Sequence, residues 1–237
     1  MRLDILQQYQ SQTKFLVAID SIIFGFDGEE LKLLLVKRGI EEEFHTWSLM
    51  GGWVQPDESL ETASSRILYE LTNLKDIYLE QLHIFGDPQR DPVERTFSVA
   101  YFALINVEDY ENKLSRNYEA QWFSMQELPK LLFDHGSMVE MAIENLRYKA
   151  SQHPIGFELL PEKFTIPQLQ KLYEAIFGTE LDKRNFSRKL LSTNLLVKLN
   201  EKQKGYSKKG AFFYKIDEVK YKKHFNNFLN FLPGSTP

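Results

Sequence analysis

The sequence predicts an α/β sandwich over residues 1–150, followed by a small basic domain over residues 161–237. Three observations carry this. The first 150 residues alternate β-branched, apolar runs with amphipathic stretches, the pattern of strands covered by helices. The pattern breaks at "SQHPIGFELLPEKF", where Pro154 and Pro161 end any continuing helix, so residues 151–160 read as a linker. Finally, the charge changes sign. From Lys183 to Lys215 there are ten Lys/Arg residues and one acid, Glu201; that segment carries +9 in a chain of net charge −4, leaving −13 for the rest. Such asymmetry points to an anionic partner for the C-terminal part.

The elements follow in order. "FLVAIDSIIFGF" (Phe15–Phe26) is a strand, and Asp27-Gly28 in "DGEE" is a hairpin signal. "LKLLLVKRG" is a second strand, apolar enough to be buried. Leu60, Ala63, Ile67, Leu71 and Leu74 recur at steps of three and four, which makes residues 59–72 an amphipathic helix. "DIYLEQLHIFG" and "TFSVAYFALIN" are further strands, separated by the loop "DPQRDPVER". "NYEAQWFSMQELPKL" reads as a strand and a short helix, and "SMVEMAIENLRYKAS" as a helix whose stripe Met138, Met141, Ala142 and Leu146 is a packing or dimer face. Beyond the linker, Thr165 is the N-cap of a helix ending at Gly178, with Leu169, Leu172, Tyr173 and Ile176 on one face. Asp182 caps a second short helix. "LLVKLNEKQKGYSKKGAFFYKI" gives two strands around a polar, glycine-containing tip. Helix, turn, helix and hairpin in that order make a winged helix.

Composition limits the function classes. Apolar content of 43% supports a packed core. With no cysteine there can be no disulfide, cysteine-ligated zinc or cysteine nucleophile. His45, His83, His135, His153 and His224 are scattered without zinc-ligand spacing. The start of the chain, "MRLDILQQYQSQTKF", has no apolar h-region, and no apolar run approaches the roughly 20 residues that span a bilayer. A cytoplasmic protein without membrane contact, metal or cofactor is expected.

The stretch "GGWVQPDESLETASSRILYELTNL" carries the chemistry. Gly52, Glu58, Arg66 and Glu70 stand at the spacing Gly-x5-Glu-x7-Arg-x3-Glu. This resembles the Nudix box, whose hydrolases cut a nucleoside diphosphate linked to another group. The resemblance implies a Nudix-like fold. In that family the box glutamates hold Mg²⁺, a hard cation that needs several oxygen ligands in octahedral geometry. Here Ile67 and Leu71 replace two of three helix glutamates, and Asn73 stands at the glycine near the helix end. Glu70 remains alone of the three, so the box is degenerate and a non-enzyme is expected.

Four further stretches make a broader match: "FGDPQRDP", "LLFDHGSMVEMAIENLR", "PIGFELLPEKFTIPQLQKLYEAI" and "LDKRNFSRKLL". With them the chain resembles, along almost its whole length, the NrtR-type Nudix-related transcriptional regulators. The resemblance implies a Nudix-like domain that senses a metabolite and a winged helix that binds operator DNA. Some members respond to ADP-ribose and control NAD metabolism, and others control sugar catabolism, including arabinose. A homodimer with a small effector is expected, a pentose-like sugar ahead of ADP-ribose. Asp87, Arg90 and Asp91, in a polar loop that is either a connection or a pocket wall, are the candidate effector contacts. Asp134-His135 reads as a structural or interdomain pair. On the basic helix, Arg184, Asn185, Arg188 and Lys189 fall opposite Phe186 and Leu190, the layout of a recognition helix. Arginine pairs bidentately with guanine and asparagine with adenine, while lysine meets phosphate. Lys208 and Lys209, with Lys202 and Lys204, crowd the wing tip. The rival readings are a Nudix hydrolase of ADP-ribose or a sugar nucleotide and an RNA-associated Nudix protein.

Overall fold

The computed structural model describes residues 8–39, 45–110, 114, 119–152, 155–203 and 210–221. Strands β1 (Leu16–Phe26) and β6 (Thr96–Asn106) run parallel at the centre of a seven-stranded mixed sheet. One edge of β1 pairs with β4 (Met50–Trp53) over Ala18–Ser21 and with β2 (Leu31–Gly39) over Ile23–Phe26. β2 also pairs with β3 (His45–Ser48) and β7 (Gln121–Ser124), and β5 (Glu80–Phe85) lies on the far side of β6. The hairpin between β1 and β2 turns at Gly28 (φ 95°), where Asp27 Oδ1 accepts the amides of Glu29 and Glu30.

Period-two alternation places the two faces. Ile19, Ile23, Val99, Tyr101, Ala103 and Ile105 pack with helix α1 (Leu60–Thr72) through Ala63, Ile67 and Leu68. Ile22, Phe24, Phe26, Ala100 and Phe102 face helix α3 (His135–Gln152) through Met138, Val139, Ala142 and Leu146. A single helical turn, α2 (Val107–Tyr110), follows β6. Met138, Ala142 and Leu146 of the expected stripe are therefore interior packing against the sheet, while Met141 is only half-buried. α3 runs to Gln152, two residues into the segment read as a linker.

One expected element does not form. The short helix expected after β7 is a turn closed by Glu127 N–H to Ser124 O. Ser124 Oγ accepts the Gln126 amide and so offers the backbone an alternative to helix, and Pro129 supplies no amide to continue one.

The C-terminal part is a winged helix with one strand more than expected. β8 (Phe164–Thr165), β10 (Ala211–Ile216) and β9 (Leu196–Gln203) form a three-stranded sheet in that order, beside α4 (Ile166–Phe177) and α5 (Lys183–Ser192). Thr165 and Gln168 form a reciprocal capping box, and Gly178 (φ 68°) closes α4 with its amide on Glu174 O. Asp182 caps α5 on the Asn185 amide at 2.8 Å. The core is continuous across the two parts: Leu146 and Ala150 of α3 belong to the same cluster as Leu169, Leu172 and Ile176 of α4. Among the described residues, no helix is long and apolar enough to cross a membrane.

Candidate functional site

Three places in this fold bear on function: the box helix, a cavity beside it and the basic helix. In the box, Arg66 is the hub. Its Nε and Nη2 hold the Glu58 carboxylate at 2.9 and 2.6 Å, Nη2 reaches Trp53 O at 2.9 Å, and Nη1 reaches Glu70 at 3.2 Å. Glu58 also accepts the Gln55 amide at 2.8 Å. The bond from Arg66, then that amide, hold the Glu58 carboxyl at about 2, well below its ordinary value. Ser59 caps α1 on the Thr62 amide, and Asn73 (φ 65°) adopts the left-handed conformation at its end, as the box glycine would. Ile67 is 1% exposed and lies over Gly52: a Cβ added there would sit 2.9 Å from Ile67 Cγ1. The position where the family carries a metal-binding glutamate is thus hydrocarbon in van der Waals contact with the glycine turn. Leu71 packs into the two clusters under α1. Among the described residues, no three carboxylates or imidazoles gather where they could hold a metal ion. The residues present do not fit the Mg²⁺ site of the family.

Beside Gly52 opens a cavity of about 290 Å³, lined by Asp20, Trp53, Arg90, Asp91, Phe133 and His135 among others. Arg90 and Asp91 stand in its wall as part of the "DPQRDP" loop. Asp87 does not line it; its carboxylate closes a turn on the Gln89 amide at 2.7 Å. The Arg90 side chain is only 3% exposed and is clamped by both Asp134 oxygens at 2.9 Å, with Asp20 at 3.6 Å. It therefore builds the wall more than it reaches out. Asp20 accepts from Ser98 Oγ at 2.6 Å, and its other oxygen lies 3.4 Å from His135 Nε2. The Leu49 amide donates to His135 Nδ1 at 3.2 Å, and Nε2 faces Asp20. Asp20 and Asp91 thus stand in the wall with Arg90 and His135, and Asp134, outside the lining, holds the Arg90 guanidinium. Asp134 and His135, read from the sequence as a structural or interdomain pair, face different partners: Asp134 holds Arg90 and His135 lies by Asp20. Asp20, Trp53 and Phe133 escape sequence reasoning, although a carboxylate in the middle of an apolar strand was a signal for Asp20.

On α5, Lys183, Arg184, Asn185, Arg188 and Lys189 are exposed, while Leu190 is buried and Phe186 stacks edge-on against Tyr173 of α4 at 5.5 Å. Arg188 Nη2 donates to Asn185 Oδ1 at 2.8 Å, so these two side chains form one polar unit on the open face. In the wing, the ammonium groups of Lys198 and Lys202 stand 3.6 and 4.4 Å from the Phe212 ring centroid. Lys204, Lys208 and Lys209 lie outside the described residues.

Comparison with known proteins agrees with this division. Residues 14–141 match the NUDIX domain, and residues 156–216 match the NrtR DNA-binding winged helix domain. A protein of Acinetobacter baylyi, named "ADPR responsive transcriptional repressor NtrR", is 31% identical over 95% of this chain and 92% of its own. An ADP-ribose pyrophosphatase of Methanocaldococcus jannaschii is 31% identical over 57% of this chain and 77% of its own. Shewanella oneidensis NrtR, solved with a 27mer DNA, superposes with a TM-score of 0.72 at 28% identity, covering 87% of this chain and 95% of that one. Its NUDIX domain with ADP ribose superposes at 0.52 and 29% identity, over 62% of this chain and 99% of that one. The chain belongs to the NrtR-type family, in which a Nudix-like domain is joined to a winged helix.

Proposed function

We propose that this protein is a transcriptional repressor whose α5 and wing bind operator DNA, and whose Nudix-like domain senses ADP-ribose without hydrolysing it. The observation that carries the reading is the contrast between two helices. α1 presents Ile67 and Leu71 where metal ligands are needed, whereas α5 presents an open basic face. The relative named as responsive to ADPR and the NUDIX domain seen with ADP ribose support that effector. The pentose expected from the sequence finds no support among these relatives. A hydrolase reading keeps only Glu70 on the metal face, and Glu70 is paired with Arg66.

One winged helix covers one half-site, so a homodimer on a palindromic operator is part of the reading, and operator binding places the protein in the cytoplasm. The effector changes operator affinity by binding one arrangement of the two winged helices better, typically by about 1–3 kcal/mol. The test is an operator titration with and without ADP-ribose, L-arabinose and D-ribose. Release by ADP-ribose alone is expected; release by a pentose alone would overturn the effector. Steady release of AMP from ADP-ribose with Mg²⁺ at rates of order 1 s⁻¹, ordinary for enzymes, would overturn the non-enzymatic reading.

A further inference from the structure

The cavity beside Gly52 has features the effector reading does not explain. Two aromatic rings line it while staying open to solvent: Trp53 is 47% exposed and Phe133 43%. Phe133 also has φ 47°, a left-handed backbone conformation that bulky residues rarely adopt. Its neighbours force it there. Leu131 and Leu132 are pinned to Trp47 of β3, the latter by its amide on Trp47 O at 3.0 Å. Asp134 is held by Arg90, and the His135 amide returns to Leu132 O at 3.1 Å. Strain of this kind persists where the surroundings over-determine it, and it concentrates at binding sites.

The wall chemistry selects the ligand group. The two carboxylates of the lining, Asp20 and Asp91, beside one guanidinium that Asp134 already holds, repel a diphosphate. What remains attractive is an uncharged ring that lies on an aromatic face and donates hydrogen bonds. The volume of about 290 Å³ suits part of a dinucleotide-sized ligand and not the whole of it. Resting on the effector reading above, we propose that this cavity is a nucleobase seat. An adenine ring stacks on Trp53 and Phe133 and its amino group donates to the acidic wall, while the charged diphosphate stays outside.

Calorimetry on the full chain, with ADP-ribose, ADP, ribose 5-phosphate and the hypoxanthine analogue of ADP-ribose, tests this. ADP is expected to bind within about tenfold of ADP-ribose, and ribose 5-phosphate not measurably. The analogue, with a carbonyl in place of the amino group, is expected to bind at least about tenfold more weakly. Each of Trp53→Ala and Phe133→Ala should weaken ADP-ribose at least about fivefold, in line with the worth of one base–aromatic stack. ADP-ribose should quench tryptophan emission in the wild type and much less in Trp53→Phe. Phe133→Gly relieves the left-handed strain, so it should lose affinity with an unchanged or higher melting temperature; this separates ring loss from misfolding. Undiminished ADP-ribose binding in both aromatic variants, or binding of ribose 5-phosphate in place of ADP, would overturn the seat and leave the effector reading standing. Adenine nucleotides that bind here without changing operator affinity would do the reverse.

Discussion

Glu58 and Arg66 form a clasp inside the Nudix box. The pair joins the glycine turn to the middle of α1, and Glu58 gains a second bond from the Gln55 amide. Its folded pKa of about 2 lies below the ordinary 4.5. A depressed carboxylate contributes stability that is fully present above 4.5 and is lost as pH falls toward 2. Thermal melts from pH 6 to 2 should therefore fall less steeply for Glu58→Gln than for wild type in the window below 4.5; parallel curves would count against the clasp. Ile67 supplies a second test. Ile67→Glu restores the family carboxylate but puts it at a site only 1% exposed, against Gly52. An unpaired buried charge there should cost about 3 kcal/mol or more. Denaturant titration with and without Mg²⁺ measures this, and full recovery of stability by Mg²⁺ would show a metal site that the present geometry does not contain.

At the scale of elements, α5 is positioned by α4. Phe186 and Leu190 bury one side, so the exposed side is the basic one. The turn between the helices is a polar knot: Gln170 Nε2 donates to Glu174 and to Leu181 O, and Glu174 accepts the Leu181 amide. Arg184→Ala or Arg188→Ala should weaken operator binding by about 1–3 kcal/mol and relax preference at one base position, if the side chain reads a base edge. Lys202→Ala should weaken all duplexes alike and flatten the salt dependence, because phosphate contacts release counterions. Competition binding against scrambled duplexes separates the two classes; equal operator affinity of an Arg184/Arg188 double variant would remove α5 from the interface.

The whole molecule is tied together by α3. Its first residue, His135, stands in the cavity wall, and Asp134 just before it holds Arg90 of that wall. Near its other end the Arg147 guanidinium donates from Nε to Ile176 O at 2.8 Å, at the carbonyl end of α4. An ion pair between Lys171 and Glu29 makes a second link between the two parts. A rigid helix with one end at the proposed effector cavity and the other on the winged helix would be a physical route for coupling. Arg147→Ala should therefore reduce the effect of ADP-ribose on operator affinity by about 0.5–2 kcal/mol, while ligand affinity in the absence of DNA changes less. Paired titrations with and without ligand give this coupling directly. Unchanged coupling would mean that the signal travels elsewhere.

Much of this was legible in the chain. The steps of three and four from Leu60 to Leu74 fix α1, Thr165, Gly178 and Asp182 bound the two helices of the winged helix, and the basic face of α5 follows from helical spacing alone. These are local matters, governed by periodicity and capping within a few residues. The apolar residues at 67 and 71 were equally readable, since they need only the identities at those positions. Tertiary structure decided the rest. Asp20, Arg90, Asp134 and His135 are separated by up to 115 positions and meet because β1, the loop before β6 and the start of α3 converge at one end of the sheet. Arg90 reads in sequence as part of a loop that is either a connection or a pocket wall, and that convergence buries it in the wall. Phe133 gains its left-handed backbone only because β3 and Arg90 hold its neighbours on either side. Spacing along a chain reports which side of an element a residue occupies; which distant side chains share a cavity is set by the packing of elements against one another.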